Sequence, residues 1–201
     1  VNPLTCFGAR VKFLNGTEGV VYAETKKMDK VPTMAQLFVD VGASSPENCP
    51  VKTGDVAVFV RPFLDLGDRM VSKAMDDRIG CLVAIQTLQA IKKTPHELYF
   101  VFSTQEEVGL RGARTSAYSI NPDMGIAIDV TISADTPHCE PGNPRLGNGP
   151  CIKVRDGSLI AHPKVIQAMK EAAEKANVKT QMEVLRFAGT DAGAIQMVHS
   201  G

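Results

Sequence analysis

Two adjacent carboxylates, Glu106 and Glu107, lie in the segment Ser103-Thr104-Gln105-Glu106-Glu107-Val108-Gly109, which directly follows the apolar run Leu98-Tyr99-Phe100-Val101-Phe102. The run reads as a buried strand, and open α/β sheets bind ligands outside the carboxyl ends of their strands. Adjacent side chains point in different directions, so one acid can hold a metal while the other handles a proton. The plainer reading is that both decorate a helix N-terminus, where negative charge is favourable by about 0.3–1 kcal/mol. Two further acids share the topology. Asp76 follows the short strand Met70-Val71-Ser72-Lys73-Ala74, and Asp129 closes the run Met124-Gly125-Ile126-Ala127-Ile128. If the three strands are neighbours, their acids converge at one sheet edge and repel one another unless something positive sits among them. Divalent metal is the economical answer, since several carboxylates can hold two ions about 3.5–4 Å apart, polarising a carbonyl and generating hydroxide at neutral pH.

The elements that must position these acids fall into two textures. Residues 1–66 read as short strands separated by Gly, Pro and Ser: Ala9–Leu14, Gly19–Ala23, Leu37–Val41 and Asp55–Val60. Asn15-Gly16 between the first two is a two-residue hairpin signal, with φ > 0 expected at both positions. This spacing suggests a small barrel or sandwich. Residues 67–201 alternate strands and helices, which implies a layered α/β architecture. Helices are expected after Asp76, from about Gly112 to Tyr118, from Pro163, and from Thr190. Further strands are expected at Ile152–Val154 and Thr180–Leu185.

Composition narrows the function classes. The 201 residues suffice for one large domain or two small ones. Twenty-two basic residues balance 22 acidic ones, so no net field draws nucleic acid or an anionic membrane. No stretch approaches the roughly 20 apolar residues that span a bilayer. The five cysteines are scattered, without Cys-x-x-Cys spacing, which favours reduced thiols in a cytoplasmic protein.

Several stretches together resemble one family, the tetrahedral aminopeptidases, also called glutamyl aminopeptidases and sometimes labelled endoglucanases. They are Asp76-Asp77-Arg78-Ile79-Gly80, Thr104 through Ala113, and Ile128-Asp129-Val130-Thr131. Gly189-Thr190-Asp191-Ala192-Gly193 is similar to the late glycine-rich motif of that family, and Asp40-Val41-Gly42-Ala43-Ser44-Ser45 to part of its inserted β domain. The resemblance covers essentially the whole chain in order. It implies a phosphorylase/hydrolase-like α/β catalytic domain with an inserted, barrel-like β domain that contributes to assembly of dimers into a dodecamer. It implies two divalent metal ions, zinc or cobalt, and removal of N-terminal residues from short peptides. By the same resemblance Asp76 bridges the metals, Glu106 is the general base, and Glu107 and Asp129 each hold one ion. Asp77, Arg78 and Asp191 fall to substrate binding or to support of the ligands. Ion pairing at a helix start (Asp77, Arg78) and an N-cap role (Asp191) are the alternatives.

The sequence departs from the family pattern in its histidines. The family has a His-x-Asp motif ahead of the inserted domain and another histidine ligand after the glycine motif, and neither segment is present. The chain is expected to begin within the inserted domain and to end before the last strand. None of His96, His138, His162 or His199 has ligand spacing, and His162 is expected to cap the helix that Pro163 opens. Zinc prefers nitrogen donors, whereas an all-carboxylate shell suits magnesium or manganese. Two rival functions follow: a catalytically incomplete chain with only an assembly role, and a glycosidase pairing Glu106 with Asp76 or Asp129.

Overall fold

The computed structural model describes residues 3–24, 31–139 and 144–199. The chain divides into two compact units, Val1–Met75 and Asp76–Gly201.

The first unit opens with a one-turn helix, α1 (Pro3–Cys6), followed by β1 (Arg10–Phe13), β2 (Glu18–Ala23), β3 (Leu37–Asp40) and β4 (Ala57–Phe59). These strands form one antiparallel sheet in the order β3-β2-β1-β4. Burial along β2 alternates strictly, as the two-residue period of a strand demands. Val11 and Val21 thereby meet Cys6 in a small core, flanked by Phe13, Leu37, Val39, Ala57 and Phe59. Among the described residues no β3–β4 pairing closes the sheet into the expected barrel. A separate ribbon pairs β5 (Leu64–Asp65) with β6 (Met70–Val71).

The β1–β2 connection is longer than the expected two-residue turn, running from Leu14 to Thr17, and only Gly16 adopts positive φ. Asn15 instead accepts a hydrogen bond from the Thr17 N–H (3.0 Å) and donates through Nδ2 to the Pro50 carbonyl (2.9 Å). Its side chain fixes the loop from outside, so its backbone need not enter the left-handed region.

The second unit is mixed α/β. It contains α2 (Met75–Ala90), α3 (Arg111–Ile120), β7 (Cys151–Arg155), α4 (Pro163–Lys175), β8 (Gln181–Val184) and α5 (Asp191–Gln196). The β7-α4-β8 stretch is a parallel crossover, as a helix between two neighbouring parallel strands requires. Pro163 opens α4 where its missing N–H costs nothing, and His162 Nδ1 accepts from the Lys164 N–H at 3.2 Å as the expected cap.

Two expected strands differ. Segments 98–102 and 124–130 join no ladder among the described residues, and their large side chains are half exposed, with Tyr99 at 57% and Ile126 at 53%. Apolar, β-branched and aromatic residues specify a segment that fits a pleated surface. They do not specify whose N–H and C=O groups will pair with it, and that partner is what makes a strand.

A close approach holds the turn between segment 98–102 and α3. The Gly112 N–H donates to the Thr104 carbonyl at 2.9 Å, and a Cβ at Gly112 would lie 2.5 Å from the Thr104 nitrogen and 2.6 Å from its oxygen. Gly112→Ala must therefore shift backbone rather than a flexible side chain. We expect it to destabilise the unit by about 1–3 kcal/mol, read from urea unfolding. An unchanged midpoint would show that the turn yields freely.

Candidate active site

Asp76, Asp77, Glu106, Glu107 and Asp129 all lie on backbone that is neither regular α-helix nor strand. Asp76 and Asp77 sit at the mouth of α2 with non-helical backbone (φ −79°, ψ 107° and φ −120°, ψ 49°), and a cis peptide bond joins them. The Gly80 N–H donates to Asp77 Oδ1 at 3.1 Å, turning that carboxylate back onto the helix start. Glu106 and Glu107 occupy a single 3-10 turn, Glu106–Val108, bracketed by left-handed Gln105 (φ 59°) and Leu110 (φ 56°). For non-glycine residues such backbone is uncommon; on this turn Glu106 is half-buried and Glu107 exposed. Asp129 accepts the Val130 N–H at 2.7 Å.

Asp191 is the first residue of α5, where Thr190 is the cap: its Oγ1 accepts the Ala192 N–H at 3.3 Å. The N-cap role weighed for Asp191 thus belongs to its neighbour. Asp191 Oδ2 instead accepts the Ser103 hydroxyl, while Oδ1 is buried and has no hydrogen-bond partner among the described residues. Ser103 was not a candidate on sequence, because no motif links it to a residue 88 positions away.

The electrostatics tie these acids together. Burial, and then the charges of Asp129, Glu107, Asp191 and Asp76, push the Glu106 carboxyl up to about 7. Burial raises Asp129 above the usual carboxylate range, opposed by the Val130 N–H and reinforced by Asp77, Asp76 and Asp191. Burial likewise raises Asp77 against the pull of the Gly80 N–H, with Asp76 and Asp191 adding to the rise. Arg78 is exposed and contributes to none of these shifts. A cleft of about 430 Å³ opens beside Glu106 and Glu107, walled by Gly109, Leu110, Gly157, Ser158, Ala188 and Gly189.

Among the described residues, no three His, Cys, Asp or Glu side chains are drawn together closely enough to hold an ion. The donor chemistry nevertheless fits a cation: carboxylates raise one another's pKa, and a buried oxygen of Asp191 lacks a partner. Two of the histidines are engaged or exposed elsewhere. His199 stacks on Tyr118 with centroids 4.5 Å apart and contacts its carbonyl at 2.9 Å, and His96 is exposed in a turn.

A folded-state pKa raised above its unfolded value means stability that is present at low pH and lost as pH rises. For Glu106 that window runs from 4.5 to about 7. In chelator, the melting temperature of the protein should therefore fall between pH 5 and pH 8, and Glu106→Gln should flatten the fall. A profile that climbs through this window would contradict the crowding of acids around Glu106.

The second unit is thus a mixed α/β unit in which several carboxylates act on one glutamate of raised pKa. The chain belongs to the M42 glutamyl aminopeptidase family, whose model matches residues 3–201. A protein of Acetivibrio thermocellus is 46% identical over 204 residues, covering 100% of this chain and 62% of its own length. Aminopeptidase APDkam598 from the archaeon Desulfurococcus kamchatkensis superposes with a TM-score of 0.92 at 41% identity, over 100% of this chain and 60% of its own. The TET1 peptidase of Pyrococcus horikoshii, which can assemble into a tetrahedron or a large octahedral shell, matches with a TM-score of 0.80 at 30% identity, over 98% of this chain and 62% of its own. This chain thus spans about three fifths of the length of the relatives it matches. Peptidases of this family are metal-dependent hydrolases.

Proposed function

We propose that the protein is a metal-dependent aminopeptidase that removes N-terminal residues from peptides. The observation that carries this reading is the convergence of charge on Glu106, whose carboxyl feels Asp129, Glu107, Asp191 and Asp76. Asp76, Glu107 and Asp129 would hold two divalent ions, zinc or cobalt, with Asp76 shared between them. When bound, such ions polarise the scissile carbonyl and make water a nucleophile at neutral pH. Glu106 accepts the proton of the attacking water and returns it to the departing amine, a task suited to a carboxyl whose pKa lies near neutrality. Asp77, held by Gly80, steadies its neighbour Asp76, with exposed Arg78 beside it at the helix start. Asp191, oriented by Ser103, supports substrate binding and adds its charge to that felt by Glu106.

The protein assembles with copies of itself, through dimers to a dodecamer, using the first unit. That unit presents Phe7, Tyr22 and Phe38, all exposed and in ring contact at 5.0 and 5.9 Å. Contiguous apolar surface of this kind marks interfaces. All five cysteines are free, as suits the reducing cytoplasm, and no described helix is long and apolar enough to cross a membrane. The test is metal analysis of the full-length protein together with hydrolysis of a panel of amino-acid anilides and short peptides. Stoichiometric metal with release of N-terminal residues is expected. Bound metal without hydrolysis would favour an assembly role alone.

A further inference from the structure

Asp129 sits in a segment with little to hold it. Among the described residues no main-chain hydrogen bond ties 122–133 to a neighbour. One side-chain bond does: the Thr131 hydroxyl, two residues beyond Asp129, donates to Glu183 Oε1 at 2.5 Å. Glu183 lies on β8, is 2% exposed, and is the largest fully buried side chain of the described residues. Its other oxygen lies 2.5 Å from Lys153 Nζ, the residue opposite it in the register of β7 with β8. That contact is ionic rather than a well-aligned hydrogen bond.

A buried glutamate with one lysine is a poor device for stability alone, because the desolvation of both charges offsets much of their attraction. It is a good device for fixing position. Glu183 can neither swing to solvent nor lose its lysine without leaving a charge buried and unpaired. Any group bonded to it is thus referred to the rigid β7–β8 pair. Extended chain advances at most about 3.3–3.6 Å per residue, so anchoring Thr131 confines Asp129 to a small volume.

We propose that Thr131, Glu183 and Lys153 form a strut that positions Asp129 for metal binding, with Glu183 a positioning residue and not a ligand. The proposal rests on the metal-peptidase reading above. Residues that orient a metal ligand through a hydrogen bond typically change metal affinity about 10- to 100-fold when removed.

The experiment uses the full-length protein, with zinc affinity measured by competition against a fluorescent chelator, and kcat and KM measured at saturating zinc. Thr131→Val keeps the shape and removes the hydroxyl, and Thr131→Ser removes the methyl and keeps the hydroxyl. Thr131→Val should weaken zinc binding about tenfold or more and leave KM within twofold, and Thr131→Ser should bind as wild type does. Affinity within twofold of wild type for Thr131→Val overturns the strut, as does equal loss in both variants, which would indicate packing. If Thr131→Val yields no soluble protein, Glu183→Gln decides. It removes the charge that pairs with Lys153 and so breaks the strut, and must weaken zinc binding more than threefold, whereas affinity within threefold of wild type overturns the proposal. Wild-type protein that binds no zinc, cobalt or other divalent ion overturns the peptidase reading itself, whereas wild-type binding with an unaffected Thr131→Val overturns only the strut.

Discussion

Glu106→Gln in the full-length protein should lower kcat about 10²- to 10⁴-fold, the usual contribution of a positioned general base, and leave metal content at the wild-type level. Gln has the size and one of the oxygens of Glu but cannot accept a proton, so the change removes chemistry and little else. The structure supplies the reason to choose this residue over its neighbour. Glu106 is partly buried in the cluster, and its carboxyl rises to about 7 under the charges of four other acids. Glu107 is exposed. A bound cation would add positive charge among the acids and draw the Glu106 pKa below that value. The acidic limb of kcat/KM against pH should accordingly fall below 7 in the metal-loaded protein and vanish in Glu106→Gln. Loss of metal together with activity would instead make Glu106 a ligand, and undiminished turnover would remove it from the mechanism.

Chelation is expected to have an effect at least as large. Dialysis of the full-length protein against EDTA should abolish peptide hydrolysis, and zinc or cobalt should restore it. Asp76→Asn should resist restoration at stoichiometric metal, because the amide carries no negative charge and keeps a single oxygen donor, at a carboxylate that neither Gly80 nor Val130 engages. The melting temperature should rise on metal addition in the wild type, since an ion that binds only the folded state stabilises it by mass action. Peptide hydrolysis that persists in EDTA would overturn the metal-dependent reading, whereas cleavage of glycosides in EDTA would favour a glycosidase with a paired acid and base.

Local sequence determined what local physics controls. Pro163 behind His162 opens α4, the alternation in β2 buries Val21, and Asp76 follows a short strand and stands at the start of a helix. The motifs around Asp76, Glu106, Asp129 and Asp191 were legible for the same reason: each is a few residues long and self-contained. Tertiary structure decided everything that depends on a partner remote in the chain. Ser103 finds Asp191 across 88 residues, and Thr131 finds Glu183 across 52. Neither pairing leaves a trace in spacing or composition, because a hydroxyl and a carboxylate bond wherever the fold brings them together. Segments 98–102 and 124–130 show the converse. Their residues favour extended backbone, but a ladder needs a second segment, and hydrogen-bonding groups on the main chain are the same in every residue. Only the path of the whole chain determines which of them meet.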